Sequence, residues 1–114
     1  MNIESAREWA LNLHPLVTEE LFAENWIAFR ICGKWFMLVQ LDTPEPRVAV
    51  KMKPDEAELL REQHEGITPA YHMNKRHWSD LYLNRLNEAL VKECIRTSYN
   101  LVVSRLPKKE RAHL

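Results

Sequence analysis

An α+β two-layer sandwich, with helices packed on one face of an antiparallel sheet, is predicted by three observations. Apolar residues recur at helical spacing near the start, in the middle and at the end of the chain. Between these segments lie two blocks in which apolar and polar residues alternate with period two. The first block contains a Gly33-Lys34 step short enough to be a hairpin connection. The predicted order is α-β-β-β-α-β-β-α, in a single domain over residues 1–114.

Ile3, Ala6, Trp9 or Ala10, and Leu13 place a first helix over Ile3 to Leu13, with Asn2 as its N-cap. Pro15 stops it and restricts His14. From Trp26 the period becomes two: Ile27, Phe29 and Ile31 face one way, Trp26, Ala28, Arg30 and Cys32 the other. A type II′ turn at Gly33-Lys34 then leads into the strand Trp35 to Leu41, with Ile31 facing Phe36 and Phe29 facing Leu38. Asp42 to Pro46, with two prolines, is a loop, and Arg47 to Met52 is a third strand with Val48, Val50 and Met52 inward.

The second face of this meander carries Arg30, Trp35, Met37, Arg47 and Lys51. It reads either as a groove of cations beside aromatics or as a second core layer.

Pro54 suits the first position of a second helix, and Asp55 and Glu56 suit its dipole. That helix should reach about His64, with Gly66 as its stop. Ile67 to Tyr71 is a short strand that Pro69 confines to an edge, and Trp78 to Leu83 is another. The longest helix runs from about Asn87 to Leu106; its stripe includes Leu90, Val91, Cys94, Ile95, Ser98, Leu101 and Val102. Pro107 ends it, and residues 108–111 are a solvated tail.

Sixteen Lys and Arg balance sixteen Asp and Glu, so net charge selects no partner. The distribution is uneven. Residues 1–46 hold three basic against seven acidic side chains, a net of −4, and residues 47–114 hold thirteen against nine, a net of +4. Cys32 and Cys94 are too few for a disulfide framework and read as small buried hydrophobes of a reducing cytoplasm. No apolar run is long enough to span a membrane, and the first residues lack a signal-peptide pattern. A cytoplasmic monomer is expected.

No residue set argues for an enzyme, and a non-enzymatic binding domain is expected. There is no Gly-x-Ser-x-Gly, and Ser98 falls on a buried helical stripe. The two glycines, Gly33 and Gly66, are accounted for by turns, which leaves no phosphate-cradling loop. His72 and His77 lack zinc-like spacing and nearby Cys or carboxylate partners, so neither metal nor cofactor is expected.

The densest recognition chemistry lies in Tyr71-His72-Met73-Asn74-Lys75-Arg76-His77-Trp78. Its bulky apolar groups must pack, while its donors stay available. Lys75 and Arg76 suit phosphate contacts, with Asn74, His72 and Lys51 in support. Lys53, Arg85, Lys92 and Arg96 are further cations that could converge on the same side. Taken from the residues alone, a charged, solvated surface is the commoner explanation, because a pI near 7 is not the basic footprint of a typical nucleic-acid binder, and DNA is the partner these cations would serve if they bind one. The alternatives are a protein-interaction module using an exposed sheet face around Trp35 and Met37, or a structural motif in which Tyr71 and Trp78 pin the sheet to the last helix.

The run from Gly66 to Trp78 resembles the hallmark of the MmcQ/YjbR family of small bacterial proteins. The Asn2-Ile3-Glu4 opening, Gly33-Lys34, Pro54, Ser98-Tyr99 and the Leu106-Pro107-Lys108-Lys109 ending are similar too. The resemblance implies the two-layer CyaY-like, secretion-chaperone-like architecture. For function it implies DNA binding, by analogy with the double wing domain of a phage transcription factor, and fold alone does not fix function. One departure stands out: where family members commonly carry an Asp-Gly turn after Tyr82-Leu83, this chain has Asn84-Arg85-Leu86-Asn87.

Overall fold

The computed structural model describes all 114 residues. The predicted elements occur in the predicted order, with one strand and one short helix added. They are α1 (Ile3–Leu11), β1 (Thr18–Phe22), β2 (Trp26–Ile31), β3 (Lys34–Gln40), β4 (Arg47–Lys51), α2 (Pro54–Gln63), β5 (Ile67–Pro69), β6 (Trp78–Tyr82), α3 (Glu88–Ser104) and α4 (Lys108–Arg111). The strands form one antiparallel sheet in the order β1-β2-β3-β4-β6-β5. No helix is long and apolar enough to cross a membrane.

β1 was not foreseen. Glu19 and Glu20 sit at its centre, and its residues are mostly exposed, so no alternation marks it. Pairing supplies what pattern does not: β1 pairs with β2 from Thr18↔Arg30 to Phe22↔Trp26. Its two carboxylates are met by cations, Glu19 by Arg7 of α1 at 2.7 Å and Glu20 by Arg30 of β2.

The hairpin between β2 and β3 differs from the prediction in turn and register. Its turn is Cys32-Gly33, with φ of 50° and 76°, the two left-handed residues of a type I′ turn rather than a type II′ turn at Gly33-Lys34. Arg30 pairs with Trp35, but Phe29 pairs with Met37, which leaves Phe36 unpaired in a β-bulge. The extra residue reverses the alternation beyond it. Met37 therefore enters the main core and Leu38 moves to the second face, the opposite of the predicted assignment. With Met37 fully buried, no exposed patch of Trp35 and Met37 exists.

α1 and α3 cover one face of the sheet. The main core there unites Ala6 and Ala10 with Phe29, Phe36, Val50, Leu81, Val91 and Ile95. α2 ends at Gln63 with His64 extended, so Gly66 is not its left-handed stop. Gly66 provides clearance instead: a Cβ there would lie 2.8 Å from Leu86 Cδ2. Cys94 is buried, and burial followed by the charge of Glu93 pushes its thiol up to about 11.

Ser98 joins the two layers. It is wholly buried on α3, and its hydroxyl donates to the carbonyl of Phe36 at 2.6 Å and accepts from the N–H of Lys51 at 2.8 Å. Both backbone groups lie where the β3–β4 ladder gives out, at the bulge and past the Met37↔Val50 pair. Replacing Ser98 with Ala strands a buried carbonyl and a half-buried N–H, at roughly 1–3 kcal/mol each. Ser98→Ala should therefore lower the unfolding free energy in urea by about 3 kcal/mol; a loss under about 0.5 kcal/mol would show that water or a shifted backbone replaces the bridge.

Candidate nucleic-acid interface

The second face of the sheet is closed by the loop between β5 and β6. Ala70 and Trp78 pack with Ala28, Leu38 and Ala49 in a smaller core, against which Phe22, Trp26, Trp35 and Met73 lie. The loop is held by its own backbone. The carbonyl of Asn74 accepts from His77 and Trp78 at 3.1 and 2.9 Å, and Ala70 donates to the carbonyl of Trp78 at 3.0 Å. Asp80 is buried in β6 beneath the start of the loop. Burial pushes the Asp80 carboxyl up, and Arg47, with Nε 3.7 Å away, opposes that shift.

A second element fixes the loop from outside. The guanidinium of Arg61 on α2 donates to the carbonyls of Lys75 (2.7 Å) and Trp78 (3.1 Å) and to Ser79 Oγ (2.9 Å). Burial pulls its pKa down, and the charge of Glu58 partly offsets this. Nothing in the sequence singled Arg61 out; it is the one cation among the acidic residues Asp55, Glu56, Glu58 and Glu62 of α2, and only the fold shows what it reaches.

Beside the loop, between the β2–β3 turn, the end of β4 and the end of α3, opens a cleft of about 480 Å³. Its cations are Lys34, Lys51 and Arg105, and its apolar walls are Trp35, Met73, Trp78, Val102 and Leu106. No Asp or Glu lines it, and none of the three cations is in an ion pair. Lys51 lies over the Trp78 ring at 6.0 Å. Its ammonium is pushed below the ordinary lysine value by burial, then by the charges of Arg105 and Lys34. The C-terminal end of α3 offsets this charge only in part, with about half a negative elementary charge.

The structure sorts the predicted residues. Lys75 and Arg76 are exposed on the loop, and Lys75 lies over the Tyr71 ring at 5.3 Å. His72 is exposed, edge-on to Trp26 and Tyr71. Asn74 spends its side-chain oxygen within the loop, accepting from the N–H of Arg76 at 3.0 Å, so its role is first that of a turn former. Lys51 belongs to the cleft, where it meets Lys34 and Arg105, neither of which was predicted. Tyr71 is 74% exposed and pins nothing to α3.

The other cations do not converge. Lys92 and Arg96 flank Trp9 of α1 at 5.0 and 5.2 Å, in the helical layer, and Arg85 is taken up by a two-pronged pair with Glu45 at 2.6 and 2.7 Å. No group of three or more candidate metal ligands assembles. A separate groove of about 340 Å³, lined by Met52, Leu59, Leu60 and Leu90, separates α2 from α3.

Fold and site together define a small α+β domain whose second sheet face is capped by a pinned loop and flanked by an uncompensated cationic cleft. The family described as YjbR matches residues 13–101, and the chain belongs to that family. It is 35% identical over 108 residues to the uncharacterised protein YbdF of Escherichia coli O157:H7, covering 94% of this chain and 88% of that one. With the uncharacterised protein YjbR of Escherichia coli K12 it shares 38% identity over 77 residues, 67% of this chain and 65% of the relative. Among solved structures, Deinococcus radiodurans DR2400 superposes with a TM-score of 0.89 at 28% identity, over 98% of this chain and 86% of that one. A Pseudomonas syringae protein superposes with a TM-score of 0.77 at 26% identity, over 89% and 98% respectively.

Arg61 provides the first test of the site. A lysine cannot reproduce the planar fork that spans two carbonyls and a hydroxyl. Arg61→Lys should speed amide exchange across residues 73–78 by tenfold or more, equivalent to about 1.4 kcal/mol of lost local stability, while the core of α3 stays protected. Unchanged exchange in the loop would show that its backbone bonds suffice without the guanidinium.

Proposed function

We propose that the protein is a non-enzymatic, cytoplasmic DNA-binding protein that contacts phosphates through the basic surface around the Tyr71–Trp78 loop. Lys75 and Arg76, exposed and anchored at their backbones, make the phosphate contacts. Lys51, His72 and Asn74 support them from the cleft side, the loop start and the turn. The observation that supports this reading best is the cleft, where Lys34, Lys51 and Arg105 gather without a carboxylate. Gathering like charges is unfavourable in the free protein; the Lys51 ammonium is pushed down first by burial and then by the charges of Arg105 and Lys34. A bound anion relieves it. The chain's overall neutrality does not count against this reading, because phosphate responds to the local field and not to the sum of charges.

The test is fluorescence anisotropy of a labelled mixed-sequence duplex at several salt concentrations. The logarithm of the binding constant should fall by about 0.9 per phosphate neutralised for each tenfold rise in salt. The double variant Lys75→Ala/Arg76→Ala should weaken binding and reduce that slope by about two contacts' worth. Binding that ignores salt, or a slope unchanged in the double variant, would remove these residues from the interface.

A further inference from the structure

We infer that the cleft holds a phosphate monoester carried on a nucleotide, such as the 5′-phosphate of a DNA strand end, and not an internal phosphate of a duplex. This deepens the DNA-binding reading and in part rests on it.

Shape argues first. The cleft is concave and about 480 Å³, within the roughly 300–1,000 Å³ typical of small-ligand sites. A duplex keeps each internal nucleotide stacked and flanked by its neighbours on a stiff strand, so it cannot place a whole nucleotide in the recess. A strand end or a single nucleotide can.

Charge argues next. An internal phosphodiester carries one negative charge, whereas a phosphate monoester carries about 1.5 to 2 near neutral pH and presents three acceptor oxygens. Three unpaired cations, Lys34, Lys51 and Arg105, match the monoester and exceed what a diester needs. They arise from three separate places in the chain: the residue after the hairpin turn, the last residue of β4 and the C-cap of α3. No single helix or loop requirement would bring them together.

The walls supply the remainder. Trp35 is half-buried, one side of its ring stacked on Phe22 at 4.9 Å, and it lines the cleft with the half-buried Met73. An aromatic beside a flexible thioether gives a base or sugar an apolar contact that free phosphate cannot use. Trp78 is 6% exposed and already carries Lys51 over its ring, so it forms the floor.

The experiment compares two short single-stranded oligonucleotides of one sequence, labelled at the 3′ end, one with a 5′-phosphate and one with a 5′-hydroxyl. The phosphorylated strand should bind about tenfold more tightly, the worth of hydrogen bonds to an added charged group. Lys51→Met and Arg105→Gln should each abolish that preference, so that the phosphorylated and hydroxyl-ended strands bind equally well. Thermal midpoints of both variants confirm that they fold.

Equal affinity for the two strands overturns the inference and leaves the DNA-binding reading to its own salt test. Competition with adenosine 5′-monophosphate and with inorganic phosphate separates the sources. If the mononucleotide competes as well as the phosphorylated strand, the cleft assignment holds with a free nucleotide as ligand, even where duplex binding fails. If inorganic phosphate competes equally well, the nucleotide part of the inference is overturned.

Discussion

The hydroxyl of Ser98 sits where three elements would otherwise come apart. β3 bulges at Phe36, β4 runs past the end of its ladder at Lys51, and α3 crosses both. One side chain satisfies the carbonyl of the first strand and the N–H of the second, and it does so from the helix. The cleft depends on that junction, because the end of β4, the residues after the hairpin turn and the last turn of α3 all line it. A buried hydroxyl with both bonding capacities used is stable where an unpaired one would not be.

The other half of the site depends on a charge held against backbone. Arg61 reaches from α2 to the carbonyls of Lys75 and Trp78, and Asn74 closes the turn between them. The loop is thereby tied to α2 and β6, and what it carries is exposed: His72, Lys75 and Arg76. The structural and functional readings of this stretch divide it between them. Trp78, Asn74 and Met73 build the cover of the second sheet face, and the cations remain available on top of it.

Much of the fold was legible because period and punctuation agreed. The α3 stripe, the Pro54 start of α2 and the alternation of β4 each point to a single arrangement. What was missed has specific causes. β1 carries two adjacent glutamates and is stabilised by ion pairs with α1 and β2, which no local pattern records. The β3 bulge inserts one residue and sends Met37 and Leu38 to opposite faces from those expected, because alternation carries no mark of an insertion. Of the site, the loop stood out by density, and Lys51 by its neighbours on the strand. Lys34 and Arg105 did not, since the hairpin turn and the end of α3 meet Lys51 only in three dimensions. Lys92 and Arg96 had the spacing of a basic face but serve Trp9 of α1.

The most direct test of a cationic interface spanning loop and cleft is a nuclear magnetic resonance titration of labelled protein with a short 5′-phosphorylated DNA. The backbone amides of residues 71–77, those of Lys34, Lys51 and Arg105, and the Trp35 indole should shift together and saturate with one dissociation constant. Shifts confined to the α2–α3 groove around Leu59 and Leu90, or no shifts at low salt, would contradict the account.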